Sequence, residues 1–190
     1  MLAVRREDFV PAPYRDYAYE EVPLPLPGVQ ATISCPHSYP LFYEPLGLAE
    51  GHRFLEIGLG SGYGTALARE IVGDTGLVVS VEIDPKTLAF AKGNLTRAGY
   101  RDIVLVQGDG GLGAPERAPF DRICMTAACP DVPPPLLEQL DKGGRLIAPV
   151  LDRGIQMLTV FREVRGKIEW TEICEVLYVS LRGKYGAQGG

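Results

Sequence analysis

Residues 53–68 read Arg-Phe-Leu-Glu-Ile-Gly-Leu-Gly-Ser-Gly-Tyr-Gly-Thr-Ala-Leu-Ala. The first five, with Phe54, Leu55 and Ile57, have the length of a short buried strand. Glycines at 58, 60, 62 and 64 follow, and then a stretch with Ala and Leu on one face runs to Gly73, where a helix would stop. A strand passing through a glycine turn into a helix is half of a βαβ unit. The pattern repeats downstream. LVVSVEI (77–83) is strand-like and rich in β-branched residues, and DPKTLAFAKGNLTRAGY (84–100) is a helix opened by Asp84-Pro85 and closed at Gly99. DIVLVQG (102–108) is a strand and GDGGLG (108–113) a loop. FDRICMTA (120–127) is a strand, PPPLLEQL (133–140) a short helix and GGRLIAPV (143–150) a strand. Strands alternating with helices at this spacing predict a doubly wound α/β fold with a mainly parallel sheet.

The flanks differ from this centre. Prolines interrupt residues 1–30, which therefore read as an extended arm over the domain. LFYEPLGLAEG (41–51) reads as a short helix ending near Gly51. IQMLTVFREV (155–164) and KIEWTEICEVLYVSL (167–181), separated by Arg165-Gly166, read as an antiparallel hairpin at the sheet edge, with Trp170 packing in it. The expected organisation is one domain over 1–190: a covering arm (1–51), a βαβ core (52–150), and an edge hairpin with its tail (151–190).

The 190 residues carry a formal net charge of −5, and the Lys and Arg residues are scattered. This excludes the basic stripe that binds duplex nucleic acid and disfavours anionic membranes. Charges at Arg5, Arg6, Glu7 and Asp8 come before any apolar leader, and no run approaches the roughly 20 apolar residues of a membrane span. A cytoplasmic monomer is expected. None of the four cysteines (35, 124, 129, 174) forms a C-x-x-C pair, and His37 and His52 have no ligand-like spacing with Cys124 and Cys129. No metal site is expected, and reduced, buried thiols are expected at all but Cys35.

Ligands of open α/β sheets bind beyond the carboxyl ends of the strands. Gly58 and Gly60 let backbone N–H groups approach a ligand at that rim. Glu82 ends the next strand 24 residues after Gly58, where an acidic residue takes ribose hydroxyls. Asp109 and Gly110 end the third strand on the same rim, placing Asp109 to accept from an adenine amino group. The loop departs from G-x-G-x-x-G, because Tyr63 stands where the third glycine would be; this argues against NAD. Glu56 beside the loop suits a cofactor with positive sulfonium and ammonium groups and no pyrophosphate. The expected cofactor is S-adenosyl-L-methionine.

With these motifs in place, the chain resembles the protein-L-isoaspartate O-methyltransferase family. The resemblance rests on FVP (9–11), AYEEVPLPL (18–26), QATISCPH (30–37), LEIGLGSGYGTALA (55–68), VEID (81–84), GDG (108–110), APFD (118–121), QLDKGGRLIAPV (139–150) and QML (156–158). It implies the class I S-adenosylmethionine-dependent methyltransferase fold, with seven strands and a C-terminal antiparallel hairpin. It implies methyl transfer to the α-carboxylate of L-isoaspartyl residues in damaged proteins and peptides, which begins their repair. The family's catalytic serine matches Ser34, and its cofactor contacts carry over to Pro36, His37, Ser38, Tyr39, Gly58, Glu82, Asp109 and Gly110. Three departures stand out. Cys35 replaces an Ala, YVSL (178–181) replaces FVPL, and roughly two helices of about 11–12 residues that precede FVP in the family are expected to be missing.

The implied reaction asks little acid–base work of the protein. An isoaspartyl α-carboxylate is ionised at pH 7, so it needs alignment and a dry site rather than a base. Ser34 is expected to hold it by a hydrogen bond; no G-x-S-x-G elbow surrounds Ser34, which argues against a hydrolase. Two alternatives remain: a small-molecule methyltransferase on this fold, and a non-catalytic module that binds the cofactor and recognises modified proteins.

Overall fold

The structure is a computed structural model, and it describes residues 1–186. Strands β3 (Arg53–Ile57), β4 (Leu77–Glu82), β5 (Val104–Gln107) and β6 (Phe120–Met125) are parallel, as is the pairing of β6 with β7 (Leu140–Asp152). β8 (Ile155–Val164) and β9 (Lys167–Val176) continue the sheet antiparallel, so the seven strands run β5-β4-β3-β6-β7-β8-β9. The order reverses beside β3, which puts the carboxyl end of that strand at the switch point where such folds bind ligands. Each hairpin turn has two residues with positive φ, Arg153-Gly154 and Arg165-Gly166, the backbone that keeps two-residue turns in step with strand twist.

Two apolar layers cover the sheet. One face packs the arm, α1 (Ser38–Leu46), α2 (Tyr63–Val72) and α3 (Pro85–Arg97) through residues such as Phe9, Leu46, Phe54, Tyr63 and Leu95. The other packs α4 (Pro134–Glu138) and the tail through Leu55, Ile57, Ile123, Leu136 and Leu181. Asp84 caps α3 by accepting from the N–H groups of Lys86 (2.9 Å) and Thr87 (3.0 Å), and Pro85 takes the first helical position, where no N–H is needed.

Local structure departs from the sequence reading in four places. The arm is not simply extended: its prolines permit 3-10 turns at Arg6–Phe9 and Ala12–Tyr17 and a two-stranded ladder of β1 (Leu24–Pro25) with β2 (Thr32–Ile33). Helix α1 starts at Ser38 rather than Leu41, because Pro40 lies in the first turn, where backbone N–H groups have no helical partner. It stops at Leu46, since Gly47 turns left-handed and returns its N–H to the carbonyls of Tyr43 and Glu44, at 3.0 Å each. Trp170 is 67% exposed on the outer strand β9 and so packs little. Cys174 is half-buried, whereas Cys124 and Cys129 are buried as read; all four thiols are free.

Candidate active site

The carboxyl ends of β3, β4 and β6 open into a cavity of about 650 Å³. Its floor is the glycine turn after β3. Gly58 has φ +93°, and a Cβ there would collide with the Thr126 hydroxyl, so this position demands glycine twice over. Glu82 rises from the end of β4, its Oε2 accepting from the Gly60 N–H at 3.3 Å and its Oε1 from the Asp84 N–H at 2.9 Å. Both bonds aim the carboxylate along the rim and leave lone pairs for hydroxyl donors.

Glu56 forms the inner wall. Strand register places it between Ser80 and Cys124 on its two neighbours. Its carboxylate accepts from the Ser80 hydroxyl at 2.8 Å and from the Thr65 hydroxyl. Burial raises its pKa to about 7; the two hydroxyls pull it down and the charge of Glu82 pushes it further up. Gly64 makes this possible, because a side chain there would meet Glu56 Oε1 at 2.6 Å.

The roof comes from distant parts of the chain. The arm supplies Ser34, Cys35, His37, Ser38 and Tyr39, and the tail supplies Tyr178 and Arg182. Within the arm segment the Ser38 N–H returns to the Cys35 carbonyl (3.1 Å) and the Tyr39 N–H to that of Pro36 (3.4 Å). The turn thereby sets Ser34 and His37 on the same cavity. His37 Nδ1 shares a 2.5 Å hydrogen bond with Glu21 Oε2. The Tyr178 phenol faces the hydroxyls of Ser34 and Ser38; burial raises its pKa, and those hydroxyls offset part of the rise.

Of the residues singled out from sequence, Ser34, His37, Ser38, Tyr39, Glu56, Gly58, Gly60, Glu82 and Gly110 line the cavity. Pro36 and Asp109 do not. Asp109 instead ties down backbone: Oδ1 accepts from the Gly111 N–H (2.9 Å) and Oδ2 from the Lys184 N–H (2.7 Å). Gly110 takes the wall position beside it. The YVSL segment runs beside Ala128, which donates to the Val179 carbonyl (2.8 Å) and accepts from the Leu181 N–H (2.7 Å). Neither bond uses residue 180, so Ser180 serves where the resembled family has proline.

Three supporting residues escaped the sequence reading. Arg6 is fully buried and donates to the carbonyls of Ala18 and Ser34, the latter at 2.6 Å. Its guanidinium lies 5.7 Å from the Tyr39 ring centre and 5.2 Å from that of Tyr63, while Nη1 has no hydrogen-bond partner among the described residues. Gln156 clamps the Tyr178 backbone from both sides, accepting from its N–H (2.7 Å) and donating to its carbonyl (3.0 Å). Arg182 reaches Glu82 at 4.0 Å and Asp84 at 3.8 Å. No local motif marks Arg6 or Arg182; QML at 156–158 was the single hint for Gln156.

The comparisons with known proteins agree with this geometry. The family model for protein-L-isoaspartate(D-aspartate) O-methyltransferase matches residues 1–186. The chain belongs to this family. A protein-L-isoaspartate O-methyltransferase of Methanococcoides burtonii is 42% identical over 186 residues, covering 98% of this chain and 91% of the relative. Protein-L-isoaspartate O-methyltransferase 1 of Archaeoglobus fulgidus is 47% identical over 183 residues, covering 96% and 83%. A solved protein-L-isoaspartate O-methyltransferase matches with a TM-score of 0.89 at 35% identity, over 96% of this chain and 60% of its own length. A Plasmodium falciparum chain, described as a candidate of the same kind and solved with S-adenosyl-L-homocysteine, matches with a TM-score of 0.86 over 95% of this chain and 87% of its own; at 23% identity it speaks for the fold alone. Among the described residues, no helix is long and apolar enough to cross a membrane.

Proposed function

We infer that the chain transfers a methyl group from S-adenosyl-L-methionine to the α-carboxylate of L-isoaspartyl residues in damaged proteins. One observation carries this reading: Ser34, from the arm, faces the same cavity as the glycine turn and Glu82, from the sheet. The cavity also fits the cofactor. Its lining bears three carboxylates, Glu56, Glu82 and Glu175, and one Lys or Arg, Arg182, which suits a cationic nucleoside and repels a pyrophosphate.

S-adenosyl-L-methionine bound there supplies an electrophilic methyl carbon. The protein's task is placement. Glu82 accepts from the ribose hydroxyls, Gly58 and Gly60 let the backbone close on the cofactor, Gly110 leaves room for adenine, and Asp109 holds the loop that carries Gly110. Glu56, once ionised, balances the positive end. Ser34 donates a hydrogen bond to the substrate carboxylate and fixes its direction of approach. His37, Ser38 and Tyr39 roof the site and exclude water, which strengthens each of these interactions. Pro36 shapes the turn that presents them. The acidic chain acts as a cytoplasmic monomer on protein substrates, without nucleic acid or membrane.

The test is methyl transfer from labelled S-adenosyl-L-methionine to an isoaspartyl peptide, with the matching aspartyl peptide as control. Labelling of the isoaspartyl peptide alone is expected. Equal labelling of both, or of neither, overturns the reading.

A further inference from the structure

At the rim of the roof two parts of the arm, around Glu21 and around Cys35–His37, bring three different donor atoms together. The ligand atoms of Glu21, Cys35 and His37 all lie within 4.8 Å of one another. Sequence spacing hides the set, because Glu21 enters from 14 residues upstream of Cys35. We propose that Glu21, Cys35 and His37 form a binding site for a thiophilic divalent cation of the zinc type, and that filling it slows methyl transfer.

The donors select the metal. Thiolate, imidazole and carboxylate together suit zinc, whereas magnesium and calcium take oxygen alone. Tetrahedral zinc, with bonds of about 2.0–2.3 Å, separates its N and O ligands by about 3.3 Å and places sulfur about 3.6 Å from either. The His37 and Glu21 atoms now stand 2.5 Å apart in a direct hydrogen bond. Placing a metal between them requires the pair to open by about 0.8 Å while the thiol draws in by up to about 1.2 Å. Both side chains are free to do so, since His37 is 62% exposed and Glu21 59%. Their exposure leaves the fourth position to water. A metal takes cysteine as thiolate and histidine as neutral imidazole, so affinity rises with pH.

The location gives the site its consequence. Cys35 is next in sequence to Ser34, and Cys35 and His37 both line the cavity. A metal would tie the Cys35–His37 turn to Glu21 and move the imidazole out of its present direct contact with that carboxylate. Three metal bonds would then stand where one side-chain hydrogen bond now ties this segment to Glu21.

This inference rests on the proposed function only for its effect on rate; binding is read separately. Cobalt(II) is the probe, titrated into the full chain without substrate. A thiolate-to-cobalt charge-transfer band that saturates at one equivalent is expected. Cys35→Ala should abolish it, and Glu21→Gln should raise the cobalt needed at least tenfold. Absence of the band overturns the site. So does a band that survives in Cys35→Ala, or a midpoint unchanged in both Glu21→Gln and His37→Gln. In the rate assay, saturating zinc should slow isoaspartyl methylation at least fivefold, a chelator should restore it, and Cys35→Ala should keep its own metal-free rate. A cobalt band together with zinc-insensitive methylation overturns the regulatory role.

Discussion

The floor and the roof of the cavity are built on different principles. The floor is backbone and strand register: Gly58 held against Thr126, Glu82 aimed by two N–H groups, Glu56 fixed between Ser80 and Thr65. The roof is assembled from the two ends of the chain and held by side chains, namely Arg6 under Ser34, Glu21 beside His37 and Gln156 around Tyr178. A floor of this kind serves any methyl donor enzyme; what distinguishes one substrate from another sits in the roof. Damage to the two halves should therefore separate in experiment, the floor governing cofactor affinity and the roof governing the peptide.

Glu82→Ala gives the largest expected effect. Losing charge-assisted hydrogen bonds to two hydroxyls, at about 1.5–3 kcal/mol each, should weaken cofactor binding by more than about a hundredfold by calorimetry. Unchanged affinity would remove Glu82 from the ribose. Ser34→Ala is the matching cut in the roof. One such bond at about 2 kcal/mol predicts a loss of about thirtyfold in kcat/KM for the isoaspartyl peptide, with cofactor affinity within twofold. If cofactor affinity falls in step, floor and roof are not separable at this point.

Arg6→Met is a cut one layer behind. It leaves the buried Ala18 carbonyl and the half-buried Ser34 carbonyl without their donor, at about 1–3 kcal/mol each. Chemical denaturation should show a stability loss of about 2 kcal/mol, and the peptide kcat/KM should fall about tenfold with cofactor affinity nearly kept. A stability loss with normal peptide kinetics would make Arg6 a packing residue only.

The last expected effect concerns pH. The Glu56 carboxyl is raised from 4.5 to about 7 in the folded protein. A carboxyl raised in this way contributes stability that is fully present below pH 4.5 and is lost as pH climbs through about 7. The ligand-free chain should therefore be less stable at pH 8 than at pH 5, by up to about 3 kcal/mol. The cationic cofactor favours the ionised form, so its affinity should move the opposite way, rising by at most about tenfold from pH 6 to pH 8. Glu56→Gln should flatten both profiles; a pH-dependent affinity that survives in this variant points to another group.

The same contrast explains what could be read from sequence. The strands, the glycine turn, the Asp84-Pro85 cap and the Arg165-Gly166 hairpin were legible because each is a pattern within a few residues of itself. Glu82 was legible because a βαβ unit fixes how far the next strand end lies from the glycine turn. Arg6 was not: its bond to Ser34 spans 28 residues, and Arg5 beside it looks the same in sequence. Gln156 meets Tyr178 across 22 residues of hairpin, and only the folded register shows the clamp. Trp170 looked like packing because strands bury aromatics, but β9 is the outermost strand, with little to cover it.

Asp84 does more than start α3. Its carboxylate also takes the Val29 N–H at 3.3 Å and faces Arg182 at 3.8 Å, while its own N–H is held by Glu82. These backbone donors, that of Thr87 foremost, keep its pKa below the usual carboxylate range. The tip of the arm and the start of the tail are thus moored to one post. In hydrogen–deuterium exchange, the amides around Val29 and those around Arg182 should open together as a single unit despite lying 153 positions apart, and ligand binding should slow both by a common factor.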